Sequence, residues 1–252
     1  MSEILAIQGL QKSFGGIVVA DDITLSIEPR EILGLIGPNG AGKTSLFNLI
    51  SGVVLPDSGT IYLQGAPIDG LPLYRRARAG IARTWQNVRL FETMTVMENL
   101  LVAPREYGGE SVLRILFGGS AVRREQEALR ERGSAILSRM GLAAMADKLV
   151  TDLPFGQQKL IGLARALMND GPCLLLDEPM AGVEGNAYET IKAVVREEAA
   201  SGRAVCVIEH NISFIKDLCT RAVFMANGRI MQTGTVVELL TSELFIELYF
   251  GT

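Results

Sequence analysis

Apolar and polar residues alternate along two segments of the first 30 positions, 4–11 and 17–27, with Phe14-Gly15-Gly16 between them. Alternation at period two predicts strands with one buried face, and the glycine pair predicts the turn, so the chain opens on an antiparallel hairpin of an edge sheet. The unbroken apolar run 32–36 predicts a buried strand and 45–50 a helix. A turn at Leu55-Pro56-Asp57-Ser58-Gly59, a short strand at 60–64 and a helix at 73–79 follow. From 95 to 140 the pattern becomes helical and more charged. Opposite charges recur three to four residues apart in Arg123-Arg124-Glu125-Gln126-Glu127-Ala128-Leu129-Arg130-Glu131-Arg132, the pattern of a solvated helix face. This predicts a helical subdomain, about 87–160, inserted within one domain occupying 1–252. Helices at 157–168, 186–200 and 212–218 then alternate with strands at 173–176 and 204–208, and a short helical extension is expected over 241–252. Alternation of this kind predicts a mostly parallel sheet flanked by helices, the α/β class.

Composition narrows the function classes. The 252 residues are 48% hydrophobic and 21% charged, enough for a full core. With 24 Lys+Arg against 28 Asp+Glu there is no basic footprint, so nucleic acid is not an expected partner. No apolar run approaches the ~18–20 residues that span a bilayer. The start, Met1-Ser2-Glu3-Ile4, has neither a basic n-region nor a cleavage site, and the expected location is cytoplasmic. Cys173, Cys206 and Cys219 are too scattered for metal-ligand spacing and read as buried, reduced thiols.

The chemistry is concentrated where the strand at 32–36 meets its helix. Gly37-Pro38-Asn39-Gly40-Ala41-Gly42-Lys43-Thr44 has the spacing GxxxxGK[ST], and Ser45 continues into the helix. Glycines let the backbone curl so that successive N–H groups and the helix N-terminus point at phosphates. Lys43 is then expected to reach the β- and γ-phosphates, and the Thr44 hydroxyl to hold Mg²⁺. Leu174-Leu175-Leu176-Asp177-Glu178 is an apolar strand ending in two acids. Alone, such a pair reads equally as a solvated cap. Beside a phosphate loop, Asp177 is the Mg²⁺ candidate and Glu178 the general base for an attacking water.

Leu153-Pro154-Phe155-Gly156-Gln157-Gln158-Lys159, about twenty residues upstream of the acids, resembles the signature motif of ABC-type ATPases, and the resemblance runs through the whole chain. It implies a P-loop NTPase (RecA-like) core with an antiparallel β subdomain and an inserted α-helical subdomain, binding ATP and Mg²⁺. It also implies a head-to-tail dimer in which Gly156, Gln157 and the N–H groups of one signature helix face the γ-phosphate on a second ABC ATPase subunit, identical or homologous. By the same resemblance Gln86 matches a glutamine that touches Mg²⁺ or the water, His210 the switch histidine at the γ-phosphate, and Phe14 the aromatic that stacks on adenine. Two departures stand out: Pro154 replaces the usual signature serine, and Glu184-Gly185 stands in the dimer-contact loop where Asp or Asn, then Pro, are usual.

Val88-Arg89-Leu90-Phe91, Met94 to Ala103, Ile208-Glu209-His210-Asn211 and the ending Ile246-Glu247-Leu248-Tyr249-Phe250-Gly251 are similar to the ATP-binding subunits of importers of branched-chain and other hydrophobic amino acids. The insertion around Gly108 to Ala121 favours that branch over lipopolysaccharide export. Urea and amide importers share these features, and a non-transport ABC ATPase is the distant alternative. The resemblance implies transmembrane permease subunits, indirectly a solute-binding protein, and a peripheral location on the cytoplasmic face of the inner membrane. A docking surface is expected near the Gln86 loop, at Val88 and Leu90. Val112-Leu113-Ile115-Leu116-Phe117 reads either as part of that surface or as a packed helix.

Overall fold

The structure, a computed structural model, describes residues 3–105 and 119–250, the side chain of residue 250 excepted. The apolar cluster at 112–117 and most of the insertion at 108–121 lie outside the described residues.

Strands β1 (Leu5–Phe14) and β2 (Ile17–Ile27) form the expected hairpin, turning at Gly15 and Gly16, and β4 (Ser58–Leu63) and β5 (Ala66–Pro67) complete a four-stranded sheet in the order β2-β1-β4-β5. All its pairings are antiparallel. The second sheet contains β3 (Ile32–Ile36), β6 (Ile81–Arg83), β7 (Cys173–Asp177), β8 (Ala204–Ile208), β9 (Arg221–Ala226) and β10 (Arg229–Gly234), in the order β10-β9-β3-β8-β7-β6. Neighbours in it run parallel except β10.

The central strands are apolar throughout because both faces are covered. Ile32 and Ile36 of β3, Leu174 and Leu176 of β7, and Val205 and Val207 of β8 enter one core cluster. The residues between them, Leu33 and Leu35, Cys173 and Leu175, Ala204, Cys206 and Ile208, enter the other. All three cysteines are buried free thiols, and burial pushes those of Cys173 and Cys219 up to about 12.

The described helices are α1 (Lys43–Ser51), α2 (Leu73–Ala79), α3 (Val96–Leu101), α4 (Gly119–Arg139), α5 (Phe155–Leu167), α6 (Asn186–Ala200), α7 (Ile212–Leu218), α8 (Val236–Leu240) and α9 (Glu243–Phe250). None is long and apolar enough to cross a membrane among the described residues. The charged stretch 123–132 lies within α4, mostly exposed, while Ile136 and Leu137 near its end are buried against α3 and α5. Two differences from the sequence pattern stand out. Helix α5 begins at Phe155, because Pro154, at φ −56° and ψ 151°, is its N-cap and cannot donate to the preceding chain. The hairpin β9–β10 has no counterpart among the expected elements; Asn227 and Gly228 turn it, both at positive φ, the preference of a two-residue hairpin turn.

Candidate functional site

The turn after β3 lies at the carboxyl ends of the parallel strands, where open α/β sheets form their ligand crevice. Its backbone is wedged tightly: a Cβ on Gly37 would lie 2.1 Å from the Met225 carbonyl oxygen, and one on Gly42, at φ 98°, 2.4 Å from that of Val19. The Ala41 carbonyl accepts from Gly228 N–H at 3.0 Å. Gly42 is the N-cap of α1, whose first amides have no intrahelical partner. Asn39, Gly40 and Thr44 are exposed, while Pro38 and Ser45 are half-buried. Lys43 is buried, its Nζ donating to the carbonyls of Gly37 at 2.7 Å and Pro38 at 2.9 Å. Burial lowers its pKa, and the charges of Glu178 and Asp177 act against that.

Asp177 ends β7, buried, with Oδ2 accepting from Arg83 Nη2 at 2.9 Å. Burial raises its carboxyl above the usual range, with the Arg83 hydrogen bond and charge pulling it back. Its Oδ1 is buried and has no hydrogen-bond partner among the described groups. Glu178 N–H donates to the Ile208 carbonyl at 2.9 Å, anchoring the turn to the end of β8. Its carboxylate accepts from Gln86 Nε2 at 2.9 Å and lies 3.2 Å from His210 Nε2. Residues 86, 178 and 210, far apart in sequence, therefore meet at one carboxylate.

Three groups that sequence reasoning left without a role hold this arrangement. Glu209 accepts from Met180 N–H at 2.7 Å and His210 N–H at 3.1 Å, fixing the turn after Glu178 to that carrying His210. Burial raises its pKa and these backbone hydrogen bonds lower it. Lys159 Nζ donates to the Gln86 carbonyl at 2.8 Å and the Glu178 carbonyl at 3.3 Å. Arg165 donates to the carbonyls of Arg89 and Val88, both at 2.8 Å. The only sequence signal for the last two is a pair of cations within the apolar stretch 159–167.

Gly156 and Gln157 stand in the first turn of α5, half-buried; Gln157 N–H already donates to the Pro154 carbonyl at 2.9 Å, so the amides of Phe155 and Gly156 are the ones ahead of the first intrahelical hydrogen bond. A Cβ at Gly156 would meet Ala187 at 3.7 Å, an ordinary contact. Phe14 is 47% exposed at the hairpin, with Lys12 Nζ 5.2 Å from its ring centroid. The same hairpin supplies Val19 against Gly42. Val88 packs towards Gly162 of α5 and Leu90 against the core; the open apolar surface nearby is formed instead by Leu73, Tyr74, Phe91 and Val102.

The donors fit a hard divalent cation. A buried carboxylate oxygen without a partner and a hydroxyl in the first turn of α1 are oxygen ligands, and Mg²⁺ characteristically takes one or two protein ligands beside phosphate oxygens and water. Among the described residues no cluster of three or more His, Cys, Asp or Glu could hold a metal unaided.

A family model described as ABC transporter matches residues 20–181. The chain belongs to the ABC transporter family. The ATP-binding protein BraF for high-affinity branched-chain amino acid transport in Pseudomonas aeruginosa is 34% identical to it over 98% of each chain. The lipopolysaccharide export ATP-binding protein LptB of Acidithiobacillus ferridurans is 34% identical over 100% of this chain and 98% of its own. In three dimensions, a nucleotide-free ATP-binding cassette from an ABC transporter superposes with a TM-score of 0.86 at 31% identity, covering both chains completely. This ABC protein is accordingly an ATP-binding and ATP-hydrolysing subunit with the P-loop core, mixed sheet and helical insertion of that fold.

Proposed function

We propose that this ABC subunit hydrolyses ATP at the carboxyl edge of its parallel sheet, as one half of a nucleotide-sandwich pair, and thereby drives import of branched-chain or other hydrophobic amino acids through membrane permeases. The observation that carries the hydrolytic reading is the meeting of Gln86 and His210 on the Glu178 carboxylate, beside the phosphate loop. Lys43 and the N–H groups of the turn 37–45, other than Pro38, which has none, and Ala41, whose N–H donates to the Pro38 carbonyl, hold the phosphates. Phe14 stacks on the base, and Thr44 and Asp177 would hold Mg²⁺, with Gln86 within reach of metal or water. Mg²⁺ would supply charge neutralisation on the phosphates. Glu178 takes the proton of the attacking water, and Gln86 and His210 orient that carboxylate and respond to the γ-phosphate. Most of the catalysis is positioning and electrostatics. Gly156 and Gln157 serve the partner subunit's nucleotide.

Glu178→Gln tests the chemistry: ATP binding persists and hydrolysis in the assembled complex falls by about 10²–10⁴-fold, the range for loss of a general base. Equal turnover by variant and wild type removes Glu178 from that role.

The likeness to BraF supports the amino-acid cargo. The groove of Leu73, Tyr74, Phe91 and Val102 beside the Gln86 loop supports permease docking. Leucine uptake in cells carrying Tyr74→Glu and Phe91→Glu should be lost while ATP binding remains. Cargo that proves to be lipopolysaccharide, at equal sequence identity to LptB, would overturn the importer reading.

A further inference from the structure

We infer that Arg83 is the positioning residue of the metal site: its guanidinium fastens the Asp177 carboxylate to the helix that carries Thr44, and so sets where the two oxygen donors stand relative to each other. This rests on the reading of Asp177 and Thr44 as the Mg²⁺-holding pair.

Arg83 closes β6, and Thr84 continues the pairing with β7 by donating N–H to the Leu175 carbonyl at 2.9 Å. From there its side chain, 5% exposed, reaches in two directions. Nη2 donates to Asp177 Oδ2 at 2.9 Å. Nη1 donates to Asn48 Oδ1 at 2.8 Å and Ser51 Oγ at 2.9 Å, both on α1. The guanidinium carbon lies 5.6 Å from the ring centroid of Phe47 on α1 and 4.2 Å from that of Trp85 just after β6, so two aromatic rings restrain the plane of the fork. A planar guanidinium with donors in fixed directions can make this bridge; an ammonium is a single point charge and cannot span both sides.

The geometry has a direct consequence for the carboxylate. With Oδ2 occupied by Arg83, the Asp177 side chain is restrained and Oδ1 is the oxygen left over, buried and unpartnered. Strands β7 and β3 are not neighbours in the sheet, since β8 lies between them. The Arg83 fork therefore spans what the hydrogen-bonded ladder does not, tying the end of β7 to the flank of α1.

The test measures ADP affinity of the whole subunit by calorimetry with and without Mg²⁺, in wild type, Arg83→Lys, the double variant Asn48→Ala/Ser51→Ala, and Asp177→Asn. Loss of a group that orients a metal ligand weakens metal affinity by about 10–100-fold. Arg83→Lys should accordingly shift the Mg²⁺ concentration needed for tight ADP binding upward by that factor while Mg²⁺-free ADP affinity is unchanged. The Asn48→Ala/Ser51→Ala variant leaves Arg83 and Asp177 in place, releases only the α1 side of the fork, and should move in the same direction by a smaller factor. If Arg83→Lys fails to fold, this second variant alone decides. A wild-type Mg²⁺ response in either folded variant overturns the positioning role. Asp177→Asn separates the two levels of the argument: if it too keeps the wild-type response, the metal-site reading is wrong, whereas loss of response there with none in the Arg83 and α1 variants refutes only the role of Arg83.

Discussion

Glu178 lies at φ 47°, in the left-handed region that residues other than glycine seldom adopt. There the chain leaves the strand between two consecutive acids, so Asp177 keeps Arg83 while Glu178 reaches Gln86 and His210. At the other chemical extreme are the thiols. A free cysteine ionises near ~8.5, whereas burial pushes Cys173 and Cys219 up to about 12 and Cys206 well above its usual value. An acid whose folded pKa is raised loses its proton first in the unfolded chain, so the thiols' contribution to stability is flat below about pH 8.5 and declines above it, by about 1.4 kcal/mol per pH unit for each such thiol. Melting temperature should therefore fall between pH 8.5 and 10. Iodoacetamide at pH 8.5 should leave folded protein unmodified and label all three cysteines in denaturant; rapid labelling of folded protein would show that the thiols are accessible. Burial of these cysteines was legible, because Cys173 and Cys206 stand in apolar strands. Arg83, Lys159 and Arg165 were not, because a cation acquires a role only from the carbonyls or carboxylate that folding brings to it.

Helix α3 is the clearest case of local sequence setting an element's boundary. Thr95 Oγ1 accepts from Glu98 N–H at 3.2 Å, and the Glu98 carboxylate accepts from Thr95 N–H at 2.8 Å, closing a reciprocal cap. Loss of such a cap costs about 1 kcal/mol, which in a chain of this size lowers the melting temperature by roughly 2–4 °C. The Thr95 hydrogen bonds lower the Glu98 pKa, so their contribution is present above the unfolded carboxylate value of about 4.3 and fades as pH falls through the lower folded value. Glu98→Ala, which removes the carboxylate that accepts from Thr95 N–H, should thus cost more at pH 7 than at pH 3, and an equal loss at both would mean that the charged carboxylate does not participate in the cap. The spacing Thr-x-x-Glu was in plain view. So was Asn227-Gly228, the turn pair of the hairpin β9–β10, whose apolar flank Ala222 to Met225 alternates between the two cores rather than between core and water. That double burial hid the strand's period. Strand β6, with three residues, is too short to carry a period and exists through its pairing with β7.

Across the whole molecule, the parallel sheet gathers chemistry that the chain disperses. The phosphate loop, Glu178 and His210 follow β3, β7 and β8, with Asp177 the last residue of β7; these strands are adjacent in the order β3-β8-β7, so their carboxyl ends form one edge. The signature helix contributes differently: Lys159 and Arg165 of α5 hold the Gln86 loop, while its N-terminus at Gly156 supplies amides without intrahelical acceptors. With Pro154 as the N-cap and no side-chain cap hydrogen bond, that N-terminus would meet a partner's γ-phosphate through backbone alone. Gly156→Asp places a carboxylate there. A Cβ at this position meets Ala187 at an ordinary 3.7 Å, so the variant should fold and bind ATP as a monomer. In a Glu178→Gln background, where ATP persists, size-exclusion chromatography with Mg²⁺ and ATP should show a dimer that the added Gly156→Asp abolishes, because the like charges of carboxylate and triphosphate meet at the closed interface. An ATP-dependent dimer that forms equally well with Asp at 156 would exclude the head-to-tail pairing, and with it the route by which binding at Lys43 and Thr44 of one subunit is felt at α5 of the other.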